Sequence, residues 1–205
     1  KKIFFFSCPK KIYQIKKKYK YFTFCTYKDF SKIINRLKGN SFCIDNSTCS
    51  FSNENIIKSS FKIKVDVDPC YIMKSIKNRS EIKNMINAHI KDGLALTKFI
   101  FWIKNINKKK ITETMAQDKL EKFRKLDKNY LFPSFNTIAG TGANGAIVHY
   151  RATKKSEKVI KKNDIFLCDS GGQYKFGTTD VTRTLCFSKQ KKSIKNIYTK
   201  VLKGH

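Results

Sequence analysis

Between residues 78 and 102 the apolar positions fall at helical spacing, with Ile82, Met85, Ile86, Ile90, Leu94, Leu96 and Ile100 leading into Trp102. Recurrence at three and four places predicts a long helix with one face turned to a core. Asn78 followed three residues later by Glu81 supplies a capping-box start. His89 falls inside the stripe and reads as a packed core histidine rather than a ligand. Thr112 opens a second predicted helix carrying Leu120 and Phe123, after a polar connection at Lys108-Lys109-Lys110. A last helix over 191–203 sets Ile194, Ile197, Tyr198, Val201 and Leu202 on one face, and from Phe135 up to it the pattern is that of strands.

Residues 1–68 are Lys-rich and weakly patterned. Apolar bursts at 21–27 and 41–45 read as short strands, and 29–37 between them has helical spacing, a βαβ-like order. Lys16-Lys17-Lys18 reads as a solvated loop. The run Ile3-Phe4-Phe5-Phe6 is too short for a signal segment, and no run approaches the roughly 20 apolar residues of a membrane span. No membrane partner is expected.

The stretch from Ile165 to Thr184 carries the candidate chemistry. An apolar run ends in Asp169, Gly171-Gly172 permits a tight reversal, and a Thr/Val-rich run brings Asp180 back, which predicts a β-hairpin. Directly opposed residues on such strands hold their Cβ atoms about 4.5–5.5 Å apart, close enough for two carboxylates to clamp a pair of divalent cations about 3.5–4 Å apart. The same spacing also describes an ordinary surface hairpin with two solvated acids. Cys168, next to Asp169, alternates to the opposite face and reads as core filler.

Gly140-Thr141-Gly142-Ala143-Asn144-Gly145 satisfies the dinucleotide pattern G-x-G-x-x-G. That fingerprint works by presenting a helix N-terminus to pyrophosphate, whereas these glycines lead into the strand-like 146–150. They are better read as a tight turn at the rim of a pocket that includes His149.

A formal net charge of +29 would ordinarily point to nucleic acid. Arginine, the residue suited to bidentate phosphate and base recognition, occurs only at 36, 79, 124, 151 and 183, among 44 basic residues. Lysine accompanied by Asn, Ile, Phe and Tyr is what an AT-biased gene encodes, so no nucleic-acid partner is expected. Seven cysteines without a C-x-x-C pair read as reduced thiols of an intracellular, cytoplasmic protein.

The wording around the two aspartates adds more. Asp169-Ser170-Gly171-Gly172-Gln173-Tyr174-Lys175-Phe176-Gly177-Thr178-Thr179-Asp180-Val181-Thr182-Arg183-Thr184 resembles the metal-binding hairpin of the X-Pro aminopeptidases (aminopeptidase P), pita-bread metallopeptidases. The likeness extends upstream through Lys77-Asn78, Glu81-Ile82, Ala88-His89-Ile90-Lys91-Asp92-Gly93, Phe99, Trp102, Thr112-Glu113, Lys119-Leu120, Arg124, Phe132-Pro133-Ser134-Phe135 and Gly142-Ala143-Asn144-Gly145-Ala146-Ile147-Val148-His149-Tyr150. It ends at Leu202-Lys203-Gly204-His205 and covers the chain from about residue 70 onward.

That resemblance implies an α+β fold, with 71–205 as the N-terminal half of a pita-bread catalytic domain and 1–70 as the C-terminal part of a preceding creatinase-like α/β domain. Asp169 would chelate one metal and Asp180 would bridge both. His149 would contact substrate and move protons at the scissile bond. The cofactors implied are two divalent ions, Mn²⁺ foremost, with Zn²⁺ or Co²⁺ as substitutes. The activity implied is release of the N-terminal residue from peptides with proline second, with prolidase, methionine aminopeptidase and a non-catalytic pita-bread binding protein as alternatives and a homodimer left open. The family's remaining ligands, a histidine and two glutamates, lie C-terminal to the hairpin, and His205 aligns with a helix position instead. The chain is therefore expected to be a fragment, inactive alone.

Overall fold

The computed structural model describes residues 2–106 and 110–205, so Lys108 and Lys109 of the predicted connection lie outside the described residues. The chain divides into two compact units, Lys1–Ile76 and Lys77–His205.

In the first unit, β1 (Ile3–Phe6) and β2 (Phe22–Cys25) pair in parallel across α1 (Pro9–Lys16). A capping box between Thr26 and Asp29 then starts a short helical turn that continues as α2 (Phe30–Ile34). β3 (Ser41–Ile44) and β4 (Lys62–Val65) form a second parallel pair across α3 (Phe51–Lys58), and α4 (Pro69–Ser75) follows. Parallel neighbours require such crossovers. The core is small, built on Ile34, Ile44, Ile57 and Phe61. The apolar run at 3–6 is therefore a sheet strand.

The second unit opens with α5 (Arg79–Asn105), whose Asn78 and Glu81 make the predicted reciprocal cap. α6 (Glu113–Arg124) is capped by the Thr112 hydroxyl, which accepts from the Met115 N–H. β5 (Tyr130–Pro133) and β6 (Ile138–Thr141) precede β7 (Ile165–Ser170), β8 (Gly172–Tyr174), β9 (Gly177–Thr178), β10 (Val181–Cys186) and α7 (Lys192–Gly204). Two antiparallel sheets result, ordered β10-β7-β6 and β5-β8-β9. Leu96, Phe99 and Ile103 of α5 and Ala116 and Leu120 of α6 pack on Ala139, Phe166, Cys168 and Leu185 of the first sheet. Along β7 the buried positions alternate, Phe166, Cys168 and Ser170, which leaves Asp169 on the other face. Burial pushes the Cys168 thiol up to about 11, and all seven cysteines are free.

α5 departs from its predicted orientation. It buries Ala88, Asp92, Ala95, Leu96, Phe99 and Ile103, while Ile82, Ile86, Ile90 and Leu94 stay about half exposed. His89 is exposed too, with Nδ1 3.0 Å from the Met85 carbonyl oxygen, so it is not the core histidine expected. Two contacts set this face. Gly177 sits so close to α5 that a Cβ there would lie 2.9 Å from that of Ala88. Asp92 is drawn inward by Arg124, whose Nε and Nη2 donate to its two oxygens at 2.6 and 3.1 Å. The Tyr174 hydroxyl also donates to Asp92, and Arg124 donates to Ser170 Oγ, both at 3.0 Å. This network joins both helices to the strands that flank Asp169.

Candidate metal centre

β7 and β10 are the two arms predicted to carry the carboxylates, but their register differs from direct opposition. Asp169 pairs with Thr182, and Ser170 with Val181. Asp180, just ahead of β10, is two places before the partner of Asp169 and therefore one diagonal step away on the same face. Diagonal neighbours stand about 7–8 Å apart. The reversal is also not a turn at Gly171-Gly172. The chain leaves β7, adds the smaller hairpin β8–β9 to the other sheet, turns at residues 175–176, and only then returns.

Gly171 has a different reason to be glycine. A Cβ there would overlap the Thr179 carbonyl oxygen and Ser134 Oγ outright. The two limbs are pinned at this crossing. Ser134 Oγ donates to Thr179 O at 2.8 Å, Thr179 N–H to Gly172 O at 2.9 Å, and Gly172 N–H to Thr179 Oγ1 at 2.9 Å. The separation of the two acids is thus fixed at this crossing by one backbone–backbone hydrogen bond and two that run through the Ser134 and Thr179 hydroxyls.

His149 reaches the same place from another segment. β6 runs into a 3-10 turn at Gly142–Ala146, and turns continue through residue 149. The strand expected over 146–150 is absent. Ile147 and Val148 are 54% and 82% exposed, with no sheet edge to join, and the Tyr150 N–H closes a turn onto Ile147 O at 3.2 Å. His149 has φ 54°, in the left-handed region, a conformation that costs a non-glycine residue about 1–3 kcal/mol. The glycines of the G-x-G-x-x-G pattern serve close packing, since a Cβ on Gly140 would lie 2.8 Å from the Gly145 backbone. They present no α-helix N-terminus.

One open cavity of about 410 Å³ is lined by Phe135, Asn136, Ile138, His149, Tyr150, Arg151, Asp169 and Asp180. All three residues singled out in the sequence meet there. A larger cavity of about 760 Å³ beside Phe101, Trp102 and Phe123 carries neither acid nor histidine in its lining. Asp169 is half-buried and accepts the Thr182 hydroxyl at 2.8 Å on Oδ1, which orients it. Asp180 is exposed, and among the described residues neither acid has an ion-pair partner. Two acceptor-only carboxylates on one wall fit a hard or borderline divalent cation. They form a partial donor set. Among the described residues no group of three or more His, Cys, Asp or Glu converges.

The wall behind His149 is organised by residues whose role is not legible in the sequence. Glu113, fully buried at the first position of α6, accepts the Thr141 N–H at 2.7 Å, the Asn144 amide at 3.0 and 3.1 Å, the Tyr150 hydroxyl at 2.8 Å and the Lys158 N–H at 3.0 Å. Burial raises the Tyr150 pKa, the Ser156 side chain lowers it, and the Glu113 carboxylate, which accepts the phenol proton, raises it again, so the hydroxyl stays a proton donor. An acid after a helix cap looks like an ordinary dipole partner, and nothing in the sequence pattern shows that it is buried. Among the described residues lining the cavity, Arg151 carries a permanent positive charge.

Comparison with known proteins accords with this arrangement. Residues 83–205 match metallopeptidase family M24, and the chain belongs to that family. Its second unit has the α+β arrangement of the pita-bread metallopeptidases. The chain is 43% identical over 159 residues to Xaa-Pro aminopeptidase ApepP of Drosophila melanogaster, a match covering 77% of this chain and 26% of that protein. It is 48% identical over 135 residues to a probable Xaa-Pro aminopeptidase P of Sordaria macrospora, covering 64% and 22%. Among solved structures it resembles the X-prolyl aminopeptidase of Caenorhabditis elegans, described as a cytosolic enzyme with a di-nuclear active site, at TM-score 0.78 and 28% identity over 91% of this chain and 32% of that one. Prolidase from Pyrococcus furiosus shares the fold at TM-score 0.74 and 24% identity. The chain spans about a quarter of the length of the curated relatives it matches.

Proposed function

We propose that the protein to which this chain belongs is a dinuclear metallopeptidase that releases the N-terminal residue from peptides with proline in second place. The observation that carries this reading is the meeting of Asp169, Asp180 and His149 around one cavity. Asp169 would hold one divalent ion and Asp180 would be shared between two, with Mn²⁺ suited to this hard donor set and Zn²⁺ or Co²⁺ as substitutes. When bound, such ions supply Lewis acidity and lower the pKa of a water. His149 contacts the substrate at the cavity mouth and carries a proton to or from the scissile amide. Thr182 keeps the Asp169 carboxylate turned into the cavity.

Residues 71–205 supply the N-terminal half of the catalytic domain and 1–70 the end of a creatinase-like domain. Because two carboxylates do not complete a two-metal site, the 205-residue chain by itself is expected to hold metal poorly and to be inactive. A cytoplasmic location is in keeping with the cytosolic enzyme it resembles, and among the described residues no helix is long and apolar enough to cross a membrane. Nucleic acid is not assigned as a partner.

Prolidase and methionine aminopeptidase chemistry would use the same two aspartates. The names of the relatives at 43–48% identity favour the Xaa-Pro aminopeptidase reading. A peptide panel on the full-length protein with added Mn²⁺ separates these outcomes. Release of Arg from Arg-Pro-Pro, with little cleavage of Arg-Ala-Pro or of an Arg-Pro dipeptide, is expected. Preferential dipeptide cleavage would make it a prolidase, and no cleavage with the metal bound would favour a binding protein.

A further inference from the structure

Glu113 lies outside the cavity, yet it reaches both ends of the segment that carries His149. At the start of the segment its Oε1 accepts the Thr141 N–H. At the far end its Oε2 accepts the Lys158 N–H, and its own N–H donates to Lys158 O at 3.1 Å, so the closure is reciprocal. Between those ends the Tyr150 hydroxyl and the Asn144 amide converge on the same carboxylate, and Asn144 also donates to the Tyr150 oxygen at 2.8 Å. Tyr150 adjoins His149, whose backbone is held at φ 54° although 146–149 has no strand partner. A left-handed histidine on an exposed turn persists only where its surroundings over-determine it, and the contacts that do so run through Glu113.

We infer that Glu113 is the positioning residue for His149: its buried carboxylate clamps the 141–158 segment and, through the Tyr150 hydroxyl, fixes the histidine at the mouth of the Asp169/Asp180 cavity. This rests on the aminopeptidase reading for its catalytic consequence, but the clamp is a property of the fold alone. Glu113→Gln keeps the shape and replaces one acceptor oxygen with an NH₂ group, which cannot accept from a peptide N–H or from Tyr150.

The test combines a double-mutant cycle with hydrogen exchange, both on the full-length protein. Glu113→Gln is expected to lower kcat for Arg-Pro-Pro about 10-fold or more with bound metal unchanged, and to add no further loss in a His149→Ala background, as for residues acting through one another. Tyr150→Phe should behave in the same way and serves if Glu113→Gln does not fold. In either variant the amides of Thr141, Tyr150 and Lys158 should exchange faster while those of Leu120 and Phe166 in the core keep their protection. Losses that add in the cycle, or unchanged exchange across 141–158, would overturn the inference. A wild-type protein without Xaa-Pro hydrolysis would remove the proposed function and leave the exchange measurement to decide on the clamp.

Discussion

The Arg124 guanidinium grips the Asp92 carboxylate through two hydrogen bonds, with the side chains only 1% and 2% exposed. Burial alone would lower the guanidinium pKa; the hydrogen bonds and charge of Asp92 more than offset this and leave it raised. Breaking such a buried pair from one side strands a charge and costs about 3–5 kcal/mol. Asp92→Asn should therefore lower stability to urea by that amount. Asp92→Leu with Arg124→Met should cost less than the single change, because no charge is left behind. An equal or larger loss in the double variant would show that the pair contributes net stability.

Gly171→Ala tests the crossing of the two limbs. Its methyl group would overlap the Thr179 backbone, which cannot swing away, and Ser134 Oγ, which could turn aside only by giving up its hydrogen bond to Thr179 O. A loss of about 3 kcal/mol is expected, the upper end for overpacking, and bound metal in the full-length protein should fall with it. Gly93→Ala, which meets nothing within 4 Å, is the matched control and should be neutral or slightly stabilising.

Tyr130 and Tyr174 contribute to the alkaline limit. Burial raises both pKa values, and acceptance of their protons by Glu121 and Asp92 raises them further. With the folded pKa above the unfolded value of about 10, the folded state holds protons that the unfolded chain gives up. The stability these groups contribute is fully present below pH 10 and is lost as pH rises beyond it. Thermal melts between pH 9 and 11 should fall more steeply for the wild type than for a Tyr130→Phe/Tyr174→Phe variant. Parallel slopes would contradict this.

Much of the fold can be read along the sequence because it is encoded locally. The Asn78/Glu81 cap, the Thr112 cap and the alternation of Phe166, Cys168 and Ser170 each follow from neighbouring residues. What escaped depends on partners distant in the chain. Hydropathy placed His89 on the buried face of α5, whereas Asp92 took that face because Arg124, on another helix, neutralises it. Directly opposed carboxylates seemed to follow from a two-glycine turn, but Gly172 is recruited by β5, which inserts the β8–β9 hairpin and shifts Asp180 one diagonal step. The strand expected over 146–150 lost to the hydrogen bonds that Glu113, more than thirty positions away, makes to Asn144 and Tyr150.

In the proposed site Asp180 would be a bridging ligand while His149 would serve substrate and protons, and bound-metal content of the full-length protein, measured per chain for two variants, separates these roles. Asp180→Asn removes a negative charge shared by both ions, so metal content should fall well below that of the wild type. His149→Ala should retain its metal while kcat/KM drops by about 10²–10⁴, the range for a lost acid–base contributor. Full metal content in Asp180→Asn, or loss of metal in His149→Ala, would show that these roles are wrongly assigned.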